Sequence, residues 1–158
     1  MVDLVFENNS EHHEWPEKFF SFVVTKTLEH LGLIRKTGLP AGRQVELGVQ
    51  LVTPQRSQEL NLKHRQKNKP TDVLSFPLDD VTLAKYDILP LGDIFICPDI
   101  ALAQAKEHHV PEKEEMARLV IHGILHLLGY DHEKSPEDGK KMLNLQEEIL
   151  NQLSFRNG

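Results

Sequence analysis

Two histidines four residues apart, followed by a third six residues on, limit what the last part of this chain can fold into. They stand in the run His122-Gly123-Ile124-Leu125-His126-Leu127-Leu128-Gly129-Tyr130-Asp131-His132. An α-helix turns about 100° and rises about 1.5 Å per residue, so imidazoles at positions 122 and 126 share one face, one above the other. A straight continuation of that helix would carry His132 roughly 9 Å farther along the axis, away from the pair. The helix is therefore expected to stop, and Gly129 is the residue that permits it. Glycine enters the left-handed conformation without a Cβ penalty and can reverse the chain just past the last apolar turn.

Three neutral imidazoles, His122, His126 and His132, form a candidate site for one borderline divalent cation. Zinc is the first expectation, and iron, nickel, cobalt and manganese are compatible with the same ligand type. Structural zinc sites usually close their shell with four ligands, commonly cysteines, whereas the one cysteine here, Cys97, is remote from the motif. Three protein ligands leave a coordination position open, which favours chemistry. Of the other histidines, His12, His13, His30, His108 and His109 lie at no ligand spacing with the three and are read as surface or helix-end residues.

A chain of 158 residues is expected to fold as one domain with a core that needs neither disulfide nor metal. No apolar run approaches the roughly 20 residues of a membrane span, so no membrane partner is expected. The start Met-Val-Asp-Leu-Val-Phe-Glu lacks the features of a secretory signal, and a lone cysteine rules out an intrachain disulfide, so the expected location is the cytoplasm. A formal net charge of −6 argues against nucleic-acid binding by the whole surface but leaves room for a local basic patch.

Periodicity sets out the elements. Residues 2 to 7 are β-prone; Phe19, Phe20, Val23, Val24, Thr27, Leu28 and Leu31 recur at helical spacing after Pro16, in a helix ending near Gly32. After a turn-rich stretch from Lys36 to Arg43, the alternation of Val45, Leu47, Val49 and Leu51 with polar or small residues is that of a half-buried strand. Thr53 and Pro54 open a helix reaching about His64. Val73 to Leu78 and Ile94 to Cys97 read as strands, separated by an acidic loop from Asp79 to Pro90. Pro98 opens a helix to about His109, Pro111 the helix that carries His122 and His126, and Ser135 a last helix with Met142, Leu145, Ile149 and Leu150 as its buried stripe. The expected architecture is a single α+β domain, a small mixed four-stranded sheet packed with about five helices, one of them a zincin-like metal-site helix.

A metal ion with an open position can acidify water and polarise a carbonyl or phosphoryl oxygen, so hydrolysis is the expected reaction class. The offsets match the metzincin protease signature HExxHxxGxxH, but the glutamate that acts there as general base is replaced by Gly123, which cannot exchange a proton. Asp131 offers a carboxylate, expected to orient an imidazole rather than to serve as base. A second stretch, Lys63-His64-Arg65-Gln66-Lys67-Asn68-Lys69-Pro70, carries four fixed positive charges and no acid. Beside a metal site such charge suits phosphodiesters, and arginine suits them best because its planar fork can grip two phosphate oxygens. A metallopeptidase and a non-catalytic assembly factor with a structural metal remain as alternatives.

The segments Glu59-Leu60-Asn61 through Arg65, Lys69-Pro70-Thr71-Asp72-Val73-Leu74-Ser75-Phe76-Pro77, Leu91-Gly92-Asp93-Ile94 and the His122 to His132 run occur in the order, and in the form, that resembles the YbeY family of bacterial endoribonucleases. The resemblance covers about residues 45 to 150. It implies a zinc-dependent endoribonuclease acting on single-stranded RNA, in maturation of the small-subunit ribosomal RNA 3′ end and in ribosome quality control, with rRNA precursors and the small ribosomal subunit as partners. By position it implies His122, His126 and His132 as ligands of one zinc, Arg65 as a catalytic residue and His122 as a second, and RNA contacts from Lys63, Arg65, Lys67 and Lys69. His64 stands where that family commonly has tyrosine, and Asn68 where it commonly has aspartate.

Overall fold

A computed structural model describes residues 2–34, 44–78, 88–131 and 133–153. The elements run β1 (Val2–Asn8), α1 (Glu17–His30), β2 (Gln44–Leu51), α2 (Pro54–Arg65), β3 (Val73–Pro77), β4 (Ile88–Ile96), α3 (Pro98–Glu107), α4 (Glu112–Leu127) and α5 (Pro136–Leu153). The strands form one sheet in the order β1-β2-β4-β3. The first three are parallel and β3 pairs antiparallel to β4 at the edge, so the sheet is mixed, as expected for this α+β domain. The stretch from Lys36 to Arg43 and most of the acidic loop lie outside the described residues.

Local rules account for most element ends. Thr53 caps α2 by accepting from the Arg56 N–H at 3.2 Å, and Ser135 caps α5 by accepting from the Asp138 N–H at 3.1 Å. Strand β1 alternates half-buried and exposed residues, the period-two pattern of a sheet with one face on the core. The last strand departs from expectation. It begins at Ile88, not at Ile94, so Ile88, Leu89 and Pro90 belong to the sheet rather than to a loop. Pro90 and Gly92 hide this strand from a periodicity argument because both residue types are poor strand formers. The sheet accommodates them at an irregularity: Glu46 faces Pro90 while Leu47 faces Gly92, leaving Leu91 as an extra residue. Gly92 has φ +129°, and a Cβ there would stand 2.1 Å from the Phe76 carbonyl oxygen, so only glycine fits.

Helix α4 lies at the centre, packed against α1, α3, α5, β3 and β4. Met116, Val120, Ile121, Ile124 and Leu125 are wholly buried on it, and removing each such side chain from water stabilises the fold by about 1.5–3 kcal/mol. Phe20, Val23, Val24 and Leu28 of α1 and Met142, Ile149 and Leu150 of α5 join the same core. The helix ends where the sequence places its end. Leu128 closes it, Gly129 takes φ +97°, and the Tyr130 N–H turns back to the Leu125 carbonyl at 3.0 Å.

Candidate active site

The exposed side of α4 forms the floor of a cleft of about 1070 Å³ that is walled by β3, the end of α2, the end of α3 and the turn after α4. His122 and His126 both line it, half-buried, with ring centroids 4.6 Å apart. Their spacing requires the two residues to stand one above the other on one helix face, and the rings meet edge to face. His132 lies outside the described residues, and among the described residues no group of three metal-ligating side chains occurs. The donor chemistry of the pair fits a borderline cation. Two imidazoles share one rigid, buried helix, and the Nδ1 of His122 is held by Gln146 Oε1 at 2.8 Å, so a metal held by this pair would meet His122 through Nε2.

Arg65 enters the same cleft from the last turn of α2. The chain reverses immediately after it, at Gln66 with φ 58°, and the basic run is then tied down by buried polar groups. Asn61 donates to the Lys69 carbonyl at 2.9 Å. The Ser57 hydroxyl donates to the Thr71 carbonyl and accepts from the Thr71 N–H, both at 2.9 Å. Ser57 and Asn61 are almost fully buried, so this strapping ties the loop to α2. Among the described residues Arg65 makes one ion pair, Nη2 to Glu133 Oε1 at 3.3 Å, with both side chains substantially exposed. Such a pair contributes only about 0–1 kcal/mol. Lys63, Lys67 and Lys69 are exposed, and none of the three is among the residues lining the cleft.

His64 packs on Phe76 of β3 with ring centroids 4.6 Å apart, and Phe76 meets Phe95 edge-on at 5.4 Å. His64 thus makes a ring contact with the edge strand. His64 and Phe76 both line the cleft. Asn68 accepts from Gln58 at 2.8 Å and helps hold the loop.

Glycine at 123 has a packing reason that spacing alone did not reveal. A Cβ there would stand 2.9–3.1 Å from three side-chain atoms of Ile94, which is wholly buried on β4. Position 123 therefore faces the sheet and not the cleft. A glutamate at this place would drive its carboxylate into the core, so the general base of the peptidase signature is sterically excluded as well as chemically absent. The Gly123 carbonyl accepts from Ser75 at 3.3 Å, a further tie between α4 and the edge strand.

Asp131 uses Oδ1 to accept from the Glu133 N–H at 2.8 Å, bracing the turn, and among the described residues Gln146 from α5 is the partner of His122 Nδ1. Deeper in the cleft Arg118 gathers three carboxylates. Its Nε and Nη2 reach the two oxygens of Glu147 at 3.0 and 3.2 Å, Nη1 reaches Glu115 at 3.2 Å, and Glu114 stands at 3.9 Å. Burial pushes the Glu115 carboxyl above its ordinary pKa, against the lowering influence of Arg118. Burial also works against the Arg118 charge, but the bonds and charges of Glu147, Glu115 and Glu114 outweigh it and raise that pKa. Neither this cluster nor Gln146 belongs to any local motif; the one sequence hint was polar residues facing the buried side of two helices.

A family model described as Endoribonuclease YbeY matches residues 5–154 of the chain. An Endoribonuclease YbeY of Acinetobacter baumannii is 42% identical over 137 residues, covering 85% of this chain and 82% of that one. Another, of Aquifex aeolicus, is 48% identical over 110 residues, covering 70% and 71%. The solution structure of TM1509 from Thermotoga maritima is similar with a TM-score of 0.59 and 30% identity, covering 96% of this chain and 87% of that one.

Proposed function

The chain belongs to the YbeY endoribonuclease family, and on that premise we propose that it is a zinc-dependent, single-strand-specific endoribonuclease. Its substrates are ribosomal RNA precursors, its task the maturation of the small-subunit RNA 3′ end and ribosome quality control, and its place the cytoplasm, in contact with the small ribosomal subunit. All of this is carried out by one domain. The observation that supports this reading is a convergence: Arg65 from α2 and the His122–His126 pair from α4, remote in sequence, line one cleft.

In this reading His122 and His126, with His132, hold one zinc ion. When bound there, zinc supplies Lewis acidity toward a phosphoryl oxygen and acidifies water. Arg65 grips two phosphate oxygens with its planar fork and stabilises the charge that builds up at phosphorus. Its pair with Glu133 is exposed and weak, so an RNA phosphate displaces that carboxylate at a cost of about 0–1 kcal/mol. Lys63, Lys67 and Lys69, outside the cleft lining, attract the incoming backbone electrostatically. The His64–Phe76 pair offers rings on which an unpaired base can stack, a contact that a base inside a duplex cannot make. This favours single strands.

The test is to map the ends left on precursor small-subunit RNA by wild type, Arg65→Ala and His126→Ala prepared in parallel. Wild type alone should cut, and the chemistry of the new ends distinguishes attack by water from attack by the 2′-hydroxyl. Equal cutting by wild type and Arg65→Ala would refute the assignment, since a contaminating nuclease acts alike on both.

A further inference from the structure

We propose that Gln146 is a positioning residue that sets the tautomer of His122, and that Arg118, acting through Glu147, sets the orientation of Gln146. The consequence for metal binding rests on the reading of His122 as a ligand; the tautomer itself does not.

Gln146 is a primary amide only 5% exposed, on the face of α5 that carries Met142, Ile149 and Leu150. A buried amide must satisfy both its ends, and either end can turn toward a given neighbour. Here the neighbours decide. Gln146 Nε2 donates to Glu147 Oε2 at 3.3 Å, and Oε1 faces His122 Nδ1 at 2.8 Å. The same Glu147 carboxylate receives Arg118 Nε on Oε2 at 3.0 Å and Nη2 on Oε1 at 3.2 Å.

A guanidinium only donates, so the carboxylate it grips at both oxygens offers nothing but lone pairs. The amide must therefore present nitrogen to Glu147 and oxygen to His122. An oxygen facing Nδ1 requires the proton on Nδ1, which places the lone pair of the neutral ring on Nε2. Free neutral histidine in water prefers the opposite form, with the proton on Nε2. The chain Arg118, Glu147, Gln146, His122 thus carries a choice of orientation, made by a residue that can only donate, to the nitrogen that must accept a metal. Arg118 is itself held by Glu115, so reorienting it would cost a further bond.

The experiment uses metal-stripped full-length protein with isotopically labelled histidine, read by long-range proton–nitrogen correlation well above the imidazole titration range. Wild type should show His122 protonated at Nδ1. Gln146→Leu, which removes the acceptor, should shift His122 toward the Nε2–H form, and Gln146→Glu, which keeps an acceptor, should retain the wild-type form. Glu147→Gln, a less buried change, lifts the constraint on the amide and should give a mixture even if Gln146→Leu folds poorly. Zinc competition against a chromophoric chelator should then show about a 10–100-fold loss of affinity in Gln146→Leu and a loss under about threefold in Gln146→Glu. A wild type protonated at Nε2, or a folded Gln146→Leu with the wild-type tautomer, overturns the proposal. A wild type that takes up no zinc yet shows the Nδ1–H form, lost in Gln146→Leu, overturns the metal reading and supports the positioning one.

Discussion

Replacing Gly123 by alanine should destabilise this protein, although alanine is the better helix former. The helix-propensity gain for Gly→Ala in a helix interior is about 1 kcal/mol. Against it stands the new methyl group, built 2.9 Å from Ile94 Cγ2, 3.0 Å from Cδ1 and 3.1 Å from Cγ1. Ile94 is wholly buried between the sheet and α4, so it cannot swing away into solvent. Overpacking of this kind costs about 1–3 kcal/mol; with three contacts inside normal range the upper half applies, leaving a net loss of about 1–2 kcal/mol. For a domain of this size that lowers Tm by roughly 2–4 °C per kcal/mol. The assay is urea unfolding with a chelator present, so that metal linkage does not enter, completed as a cycle with Ile94→Ala. That second change costs about 2–5 kcal/mol alone, but it removes all three offending atoms, so Gly123→Ala should become stabilising by about 1 kcal/mol in its background. A gain of about 1 kcal/mol from Gly123→Ala in the wild type would show that propensity decides and that the packing argument is wrong.

Arg65→Lys keeps the charge but loses the planar fork, so RNA cleavage should fall nearly as far as in Arg65→Ala, by about 100-fold in kcat; single-turnover assays check this, and wild-type rates in the lysine variant would mean that charge alone suffices. Glu115, with its pKa raised above the ordinary 4.5 by burial, binds protons more tightly folded than unfolded. Its contribution to stability is therefore greatest below that value and declines as pH rises through the window just above it. Denaturant unfolding across that window should show wild type losing ground to Glu115→Gln as pH rises, and a difference that moves the other way would contradict the burial argument. Burial likewise pushes the Cys97 thiol up and leaves it 1% exposed, so alkylation at neutral pH should proceed only at the rate of unfolding, measured by mass shift with and without denaturant.

The legible parts of the fold were those governed by neighbours in sequence. The helical stacking of His122 over His126, the chain reversal at Gly129 with φ +97°, the Thr53 and Ser135 caps and the alternation along β1 follow from the periods and turn chemistry of a few consecutive residues. Where local preference and tertiary packing disagreed, local reasoning failed. The first half of β4 reads as loop in the sequence because Pro90 and Gly92 are poor strand residues, and the bulge that accommodates them exists only once β2 and β3 lie alongside.

By itself the sequence determined which reactive side chains this protein carries and which family it belongs to: imidazoles four apart on one helix face, an arginine in a basic run, and family motifs, all written in residue types and short spacings. Tertiary structure alone decided how those groups are aimed. That Arg65 and the histidines share one cleft, that Gly123 is a packing requirement against Ile94, and that His122 is held by an amide on α5 each depends on segments remote in the chain meeting face to face. Periodicity reports that a face is buried. It does not report what lies against it, because that is settled by the sum of many weak, non-directional burial terms over the whole core.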